Sequence, residues 1–94
     1  MSVYAIGQIT NIKDKEVWQE YKAKVKDTLD PYNAKILFRG KKTHSLVESS
    51  NHIEVVTIEF ESLKTAKEWY FSDEYQSIAP LRKEGADVVL EIYE

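Results

Sequence analysis

EVVTIEFESLKTAKEWYFSDEYQSIAPLR, residues 54–82, changes its hydrophobic period once and restarts a helix once. From Glu54 to Phe60 apolar and polar side chains alternate, the period of a strand with one buried face. Ser62 then offers an N-cap, and Leu63, Ala66 and Tyr70 share one face of a helix running through Phe71. Ser72 caps a second helical piece. Asp73 and Glu74 stand in its first turn, where the helix dipole favours negative charge. Pro80 is expected to kink or shorten this piece and Gly85 to close it. Residues 87–93 (DVVLEIY) form a last strand.

Upstream the same grammar repeats. Residues 3–12 (VYAIGQITNI) are rich in β-branched residues and read as a first strand. Asp14 caps a helix whose apolar stripe is Val17, Trp18, Tyr21, Val25 and Leu29. Pro31 is expected to end it, because the residue before a proline avoids the helical region. Asn33 suits the left-handed conformation of a short turn after the helix. Residues 35–40 (KILFRG) are a second strand, with Lys41 to Glu48 expected to extend its pairing; Ser49 to His52 is turn chemistry. The order β-α-β-β-α-β specifies a ferredoxin-like α+β domain: a four-stranded antiparallel sheet with both helices on one face.

The bulk numbers fit that reading. Ninety-four residues make one domain, and 31% charged with 43% hydrophobic residues is ordinary for a globular chain. Net charge is −3 and no basic block exists, which argues against nucleic-acid binding. Lys22, Lys24 and Lys26 are spread around the first helix as a solvated face. The absence of cysteine excludes a disulfide framework, a thiolate nucleophile and a cysteine zinc site. No secretory signal precedes the first strand and no apolar run spans a membrane, so the expected location is the cytoplasm.

Strand alternation sorts the sheet into two faces. Ala5, Gly7, Ile9, Ile36, Phe38, Val56, Ile58, Phe60, Val88, Leu90 and Ile92 make an apolar face for the helices. The opposite face would hold Tyr4, Ile6, Gln8, Thr10, Leu37, Arg39, Val55, Thr57, Glu59, Val89, Glu91 and Tyr93. That mixture is too apolar for solvent and too charged for a core. A homodimer packed through these faces, closing into an α+β barrel with a partly polar interior pocket, resolves the conflict.

Chemistry then centres on Arg39, whose planar, always-charged fork suits a carboxylate. On a half-buried face it must meet an anion: Glu59 or Glu91 in a structural pair, a contact across the dimer, or a ligand. Glu59 and Glu91 form a paired carboxylate only if the strands bring them together. His52 lies in a turn. His44, near the end of the second strand, is placed to reach a pocket mouth and titrates near neutral pH. Trp69, Tyr70, Phe71 and Tyr75 line either a flat aromatic pocket or, more commonly for helical spacing, the core. Two histidines and scattered carboxylates have no metal-ligand spacing, so no metal and no cofactor are expected. Gly40-Lys41-Lys42-Thr43 ends like a phosphate-binding loop but lacks its first glycine.

The run Trp69-Tyr70-Phe71-Ser72-Asp73-Glu74-Tyr75-Gln76, followed by Ile78-Ala79-Pro80-Leu81-Arg82, resembles domain-of-unknown-function family thirteen-thirty. Phe38-Arg39-Gly40, Val56 to Ser62, Asp14 to Tyr21 and Ala86 to Glu91 extend the likeness along essentially the whole chain. The resemblance implies a dimeric α+β barrel of ferredoxin-like subunits with no established activity. It also implies a pocket at Arg39 and Glu59, with Tyr70, Ser72 and Tyr75 nearby. The chain departs from the family at Gln8, where members often have histidine, at Asn33-Ala34, where many have two glycines, and at Lys41, where a glycine is common. Gln8 and His44 complete the candidate ligand-binding set. Three functions fit: a homodimer binding a small anionic or carbonyl-bearing molecule between sheet and partner, a cofactor-free monooxygenase or isomerase, and a purely structural dimer.

Overall fold

In the computed structural model, which describes residues 2–94, the strands are β1 (Val3–Ile12), β2 (Lys35–Lys41), β3 (Glu54–Phe60) and β4 (Ala86–Tyr93). Helix α1 (Lys15–Leu29) follows β1, and α2 (Leu63–Tyr70) and α3 (Asp73–Gly85) lie between β3 and β4. The sheet order is β2-β3-β1-β4 with every neighbouring pair antiparallel, the ferredoxin-like arrangement. Among the described residues no helix is long and apolar enough to cross a membrane.

Local chemistry sets the element ends. Asp14 accepts hydrogen bonds from the Glu16 and Val17 amides at 3.1 and 3.2 Å, which starts α1. Ser62 accepts from the Thr65 amide and Ser72 from the Tyr75 amide, starting α2 and α3. The α1 helix ends at Leu29, but Asp30 keeps helical angles and the chain runs on through a 3-10 turn, Asp30–Tyr32. Pro31 fits there because the first turn leaves its missing N–H unneeded. Asn33 is left-handed, with φ 54°. Pro80 does not shorten α3, which continues to Gly85. Its exposed position lets the ring sit on the solvent side.

Gly85 is needed for closeness, not for a turn. A Cβ there would lie 2.8 Å from the Trp18 backbone nitrogen. The Gly85 carbonyl accepts from the Lys13 and Asp14 amides at 2.8 and 3.0 Å, tying the end of α3 to the start of α1. Helices and sheet meet over one core, in which Trp69, Tyr75, Phe60, Ile9 and Leu29 are the largest fully buried side chains.

Strand pairing does not extend from Lys41 to Glu48. It stops with the Lys42 amide donating to the Ile53 carbonyl at 2.8 Å, and an irregular loop joins β2 to β3. Glu48 is left-handed, with φ 48°, a conformation no strand contains.

Candidate functional site

One extra residue in β2 decides where its side chains go. Ile36 pairs with Ile58, but the next pair is Phe38 with Thr57, so Leu37 bulges out of the ladder. A bulge of one residue inverts the alternation beyond it. Phe38 therefore joins Thr57 and Ile6 on the open face and is 56% exposed, instead of entering the core. Arg39 pairs with Val56 and passes to the helix-covered face. Gly40 lies under the Phe38 ring, where a Cβ would come within 2.6 Å of Phe38 Cζ.

On the helix-covered side Arg39 lines a small internal cavity of about 30 Å³. Helix α1 contributes Trp18, Tyr21 and Val25 to its wall, spaced so that one helix face presents all three. Arg82, from α3, completes the polar wall. The Tyr21 and Tyr75 hydroxyls share a hydrogen bond of 2.9 Å, and Arg82 Nη1 donates to the Tyr75 hydroxyl at 2.7 Å. Tyr75 and Arg82 are two helical turns apart, so they share a face of α3.

Burial is the main cause that pushes the Tyr21 hydroxyl far above its ordinary value, followed by the neighbouring Tyr75. Burial also lowers the Arg39 guanidinium, with Tyr21 and Glu54 pulling the other way. For Arg82 burial again lowers the value, but Tyr75 and Tyr70 together outweigh it and leave the guanidinium raised. The indole N–H of Trp18 is buried without a partner. The Trp69 indole, by contrast, donates to Thr28 Oγ1 at 2.9 Å.

A larger hollow of about 390 Å³ lies beside this cavity, between the sheet and α2–α3. Ala5 and Ala66 leave the room; Phe60, Trp69, Tyr70, Phe71, Leu90 and Ile92 make walls that are mostly apolar, with Lys67 and Arg82 as charged members. Trp69, Arg82, Val88 and Leu90 belong to both hollows, so the two are neighbours.

The residues singled out from sequence divide between the faces. Arg39 stands in the inner cavity and Tyr70 in the larger hollow. Tyr75 is fully buried and packs against Trp69, with ring centroids 4.3 Å apart and the rings tilted by 48°. Ser72 is the joint of α2 and α3, donating to the Trp69 carbonyl at 2.6 Å while capping α3. Gln8 sits on the open face between Val55 and Val89. Glu59 lies on that face too, between Tyr4 and Lys35, and so does Glu91 beside Ile6.

Glu59 and Glu91 are therefore two strands apart, roughly 10 Å in the pairing direction alone, and form no carboxylate pair. Neither accompanies Arg39, which lies across the sheet. His44, exposed, and His52, half-buried, lie in the β2–β3 loop, bonded to Thr43 and Ser50, and line a separate shallow hollow there. Among the described residues no group of three or more His, Asp or Glu could hold a metal ion.

Trp18, Tyr21 and Arg82 are the residues that sequence reasoning left out of the site. The spacing of Tyr75 and Arg82 was the available signal, since it places an arginine on the buried face of a helix.

A family model described as a domain of unknown function (DUF1330) matches residues 2–94. No curated protein matches the chain. A solved structure of a protein of unknown function from Rhodopseudomonas palustris is similar at a TM-score of 0.80 and 12% identity, covering 97% of this chain and 79% of that one. A dimeric ferredoxin-like protein of unknown function from Jannaschia sp. CCS1 gives 0.71 at 8% identity, over 100% and 99%. SnoaB from Streptomyces nogalater, a cofactor-independent oxygenase, gives 0.73 at 5% identity, over 99% and 91%.

Proposed function

Because the chain belongs to the DUF1330 family, whose members carry no assigned role, we propose a function from the site itself: a homodimer that binds a small organic molecule bearing an anionic or carbonyl group. The molecule occupies the hollow between the sheet and α2–α3, not the space between the sheet and the partner. The observation that carries this reading is a mostly apolar hollow of about 390 Å³ with an arginine, Arg82, in its wall. That is the volume and chemistry of a small-molecule site: apolar walls for area and a few polar groups for orientation.

The dimer part rests on the open face. Tyr4, Ile6, Phe38, Val55, Val89 and Tyr93 bring apolar groups to a surface that no helix of this chain covers. Such a patch favours association with a second copy. Sedimentation at tens of micromolar checks it, and a monomer there contradicts it.

Binding is tested by a thermal-shift screen of small carboxylates, phenols and ketones against the wild-type chain and Ile92→Trp. Ile92 lines the larger hollow at its partly exposed rim, so the indole fills the space without removing a polar group. Stabilisation of the wild type and its loss in the variant support the reading. A screen without a single stabilising compound leaves a purely structural dimer.

A second reading is catalysis without a bound cofactor. It draws on the fully buried Tyr75 hydroxyl, which lines neither hollow but is bonded to Arg82 in the wall of both, as the group that holds the Arg82 guanidinium toward a bound carbonyl compound. Turnover of a screened ligand, lost in Tyr75→Phe while binding persists, distinguishes enzyme from binder.

A further inference from the structure

The chain has two arginines, Arg39 and Arg82, and both stand in the wall of the inner cavity. They reach it from opposite layers, one from the sheet and one from α3. Neither has an ion-pair partner among the described residues, where the ion pairs are Lys13–Asp87 and Lys24–Glu20. Arg82 is half-buried, and Arg39, more exposed and with Glu54 as its nearest acidic influence, turns to the same cavity without an ion-pair contact. The same wall contains Trp18, whose buried indole N–H is a donor with no acceptor. The Tyr21 and Tyr75 hydroxyls are engaged with each other and with Arg82. The cavity wall is thus rich in donors and positive charge and poor in acceptors.

Size narrows the occupant. A cavity of about 30 Å³ holds on the order of two oxygen-sized atoms, at roughly 10–15 Å³ for each. It is too small for a ring and suits a two-oxygen head group. The neighbouring hollow, sharing Trp69 and Arg82 in its wall, has the room and the aromatic walls for a ring.

We propose that the inner cavity receives the carboxylate of an aromatic or alicyclic acid whose body lies in the larger hollow, with Arg39 and Arg82 as its counter-charges. This rests on the reading of the larger hollow as a small-molecule site and names its ligand class. Arg39 gives the handle for a test, because it lines the inner cavity and not the larger hollow.

The experiment is calorimetric titration of the full chain with benzoate and phenylacetate, and with the neutral isosteres benzamide and phenylacetamide. The acids should bind at least about tenfold more tightly than the amides, the ratio expected when an ionised acceptor meets charged donors. Arg39→Met should lower that ratio, with Arg82 keeping the remainder, while leaving amide affinity in place, which also certifies that the variant is folded. Arg39→Lys, which keeps the charge but not the planar fork, should retain more of it. Acids and amides binding equally well overturns the proposal and leaves the small-molecule site standing. Binding of none of the four compounds overturns both. An acid preference undiminished in Arg39→Met removes Arg39 from the head-group site and overturns the two-arginine receptor.

Discussion

Phe60 and Phe38 occupy opposite faces of one sheet, on adjacent strands, and live in different solvents. Phe60 is 1% exposed and packs on Trp69 with centroids 5.4 Å apart; Phe38 is 56% exposed over Gly40. The helix-covered face is a single apolar core interrupted by one polar cluster, Tyr21, Tyr75, Arg82 and Arg39. The open face mixes apolar side chains with Glu59, Glu91 and Gln8, of which Glu59 lines a separate hollow of about 310 Å³ with Lys35 and Glu61 at the sheet's end. The difference teaches that charge alone does not mark the site in this fold. The carboxylates lie on the open face, while both arginines line the small cavity on the helix-covered side.

Five substitutions test how far that contrast holds. Phe60→Ala should lose the most, about 3–5 kcal/mol of unfolding free energy in urea, because a fully buried ring leaves a cavity. A loss below about 1 kcal/mol would mean the covered face is not the core. Gly85→Ala comes next, at about 1–3 kcal/mol, since its methyl group meets Trp18 backbone at 2.8 Å and neither chain segment can yield cheaply.

Tyr21→Phe probes the polar cluster through pH. Burial raises the folded hydroxyl above its ordinary value of 10.0, so the folded state holds that proton more tightly than the unfolded chain. Its stabilisation is complete below pH 10 and is lost as pH rises above it. Wild type should therefore lose about 0.8 kcal/mol more than Tyr21→Phe between neutrality and pH 10.5, measured by urea titration at each pH. Gly40→Ala on the open face makes a useful control for Gly85. Its methyl group meets only the far end of the exposed Phe38 ring, so its cost should stay within about 0.5 kcal/mol. Phe38→Ala should change unfolding of the subunit least, by no more than about 0.5 kcal/mol, while weakening self-association in sedimentation. If it instead unfolds the protein, Phe38 belongs to the core after all.

Most of the fold was legible because its strands and helices obey one period each. β1, β3 and β4 alternate without ambiguity, and Asp14, Ser62 and Ser72 announce their helices. β2 was legible as a strand but not in its facing. Ile36, Leu37 and Phe38 are all apolar, so either parity satisfies the strand's own pattern. Only pairing against β3 reveals that Leu37 is an added residue. That single bulge carries Arg39 across the sheet, away from Glu59 and toward Tyr21. The site was half readable for the same reason. Arg39 and Tyr70, singled out by residue type, line the hollows, and Tyr75 meets Arg82 by their spacing on α3, but the Tyr21–Tyr75 contact joins side chains 54 positions apart and exists only once α1 lies on α3. His44 stands apart from Arg39 because the left-handed Glu48 turns the strand extension into a loop, where His44 lines a separate shallow hollow.

The two tryptophans give these hollows an optical consequence. Trp18 walls the inner cavity alone, and Trp69 walls both it and the larger hollow. No other indole exists in the chain to obscure them. Tryptophan emission of the folded protein, excited beyond the absorption of tyrosine, therefore comes entirely from indoles in contact with the proposed ligand space, and the single-tryptophan variants Trp18→Phe and Trp69→Phe separate the depth at which an added molecule stops.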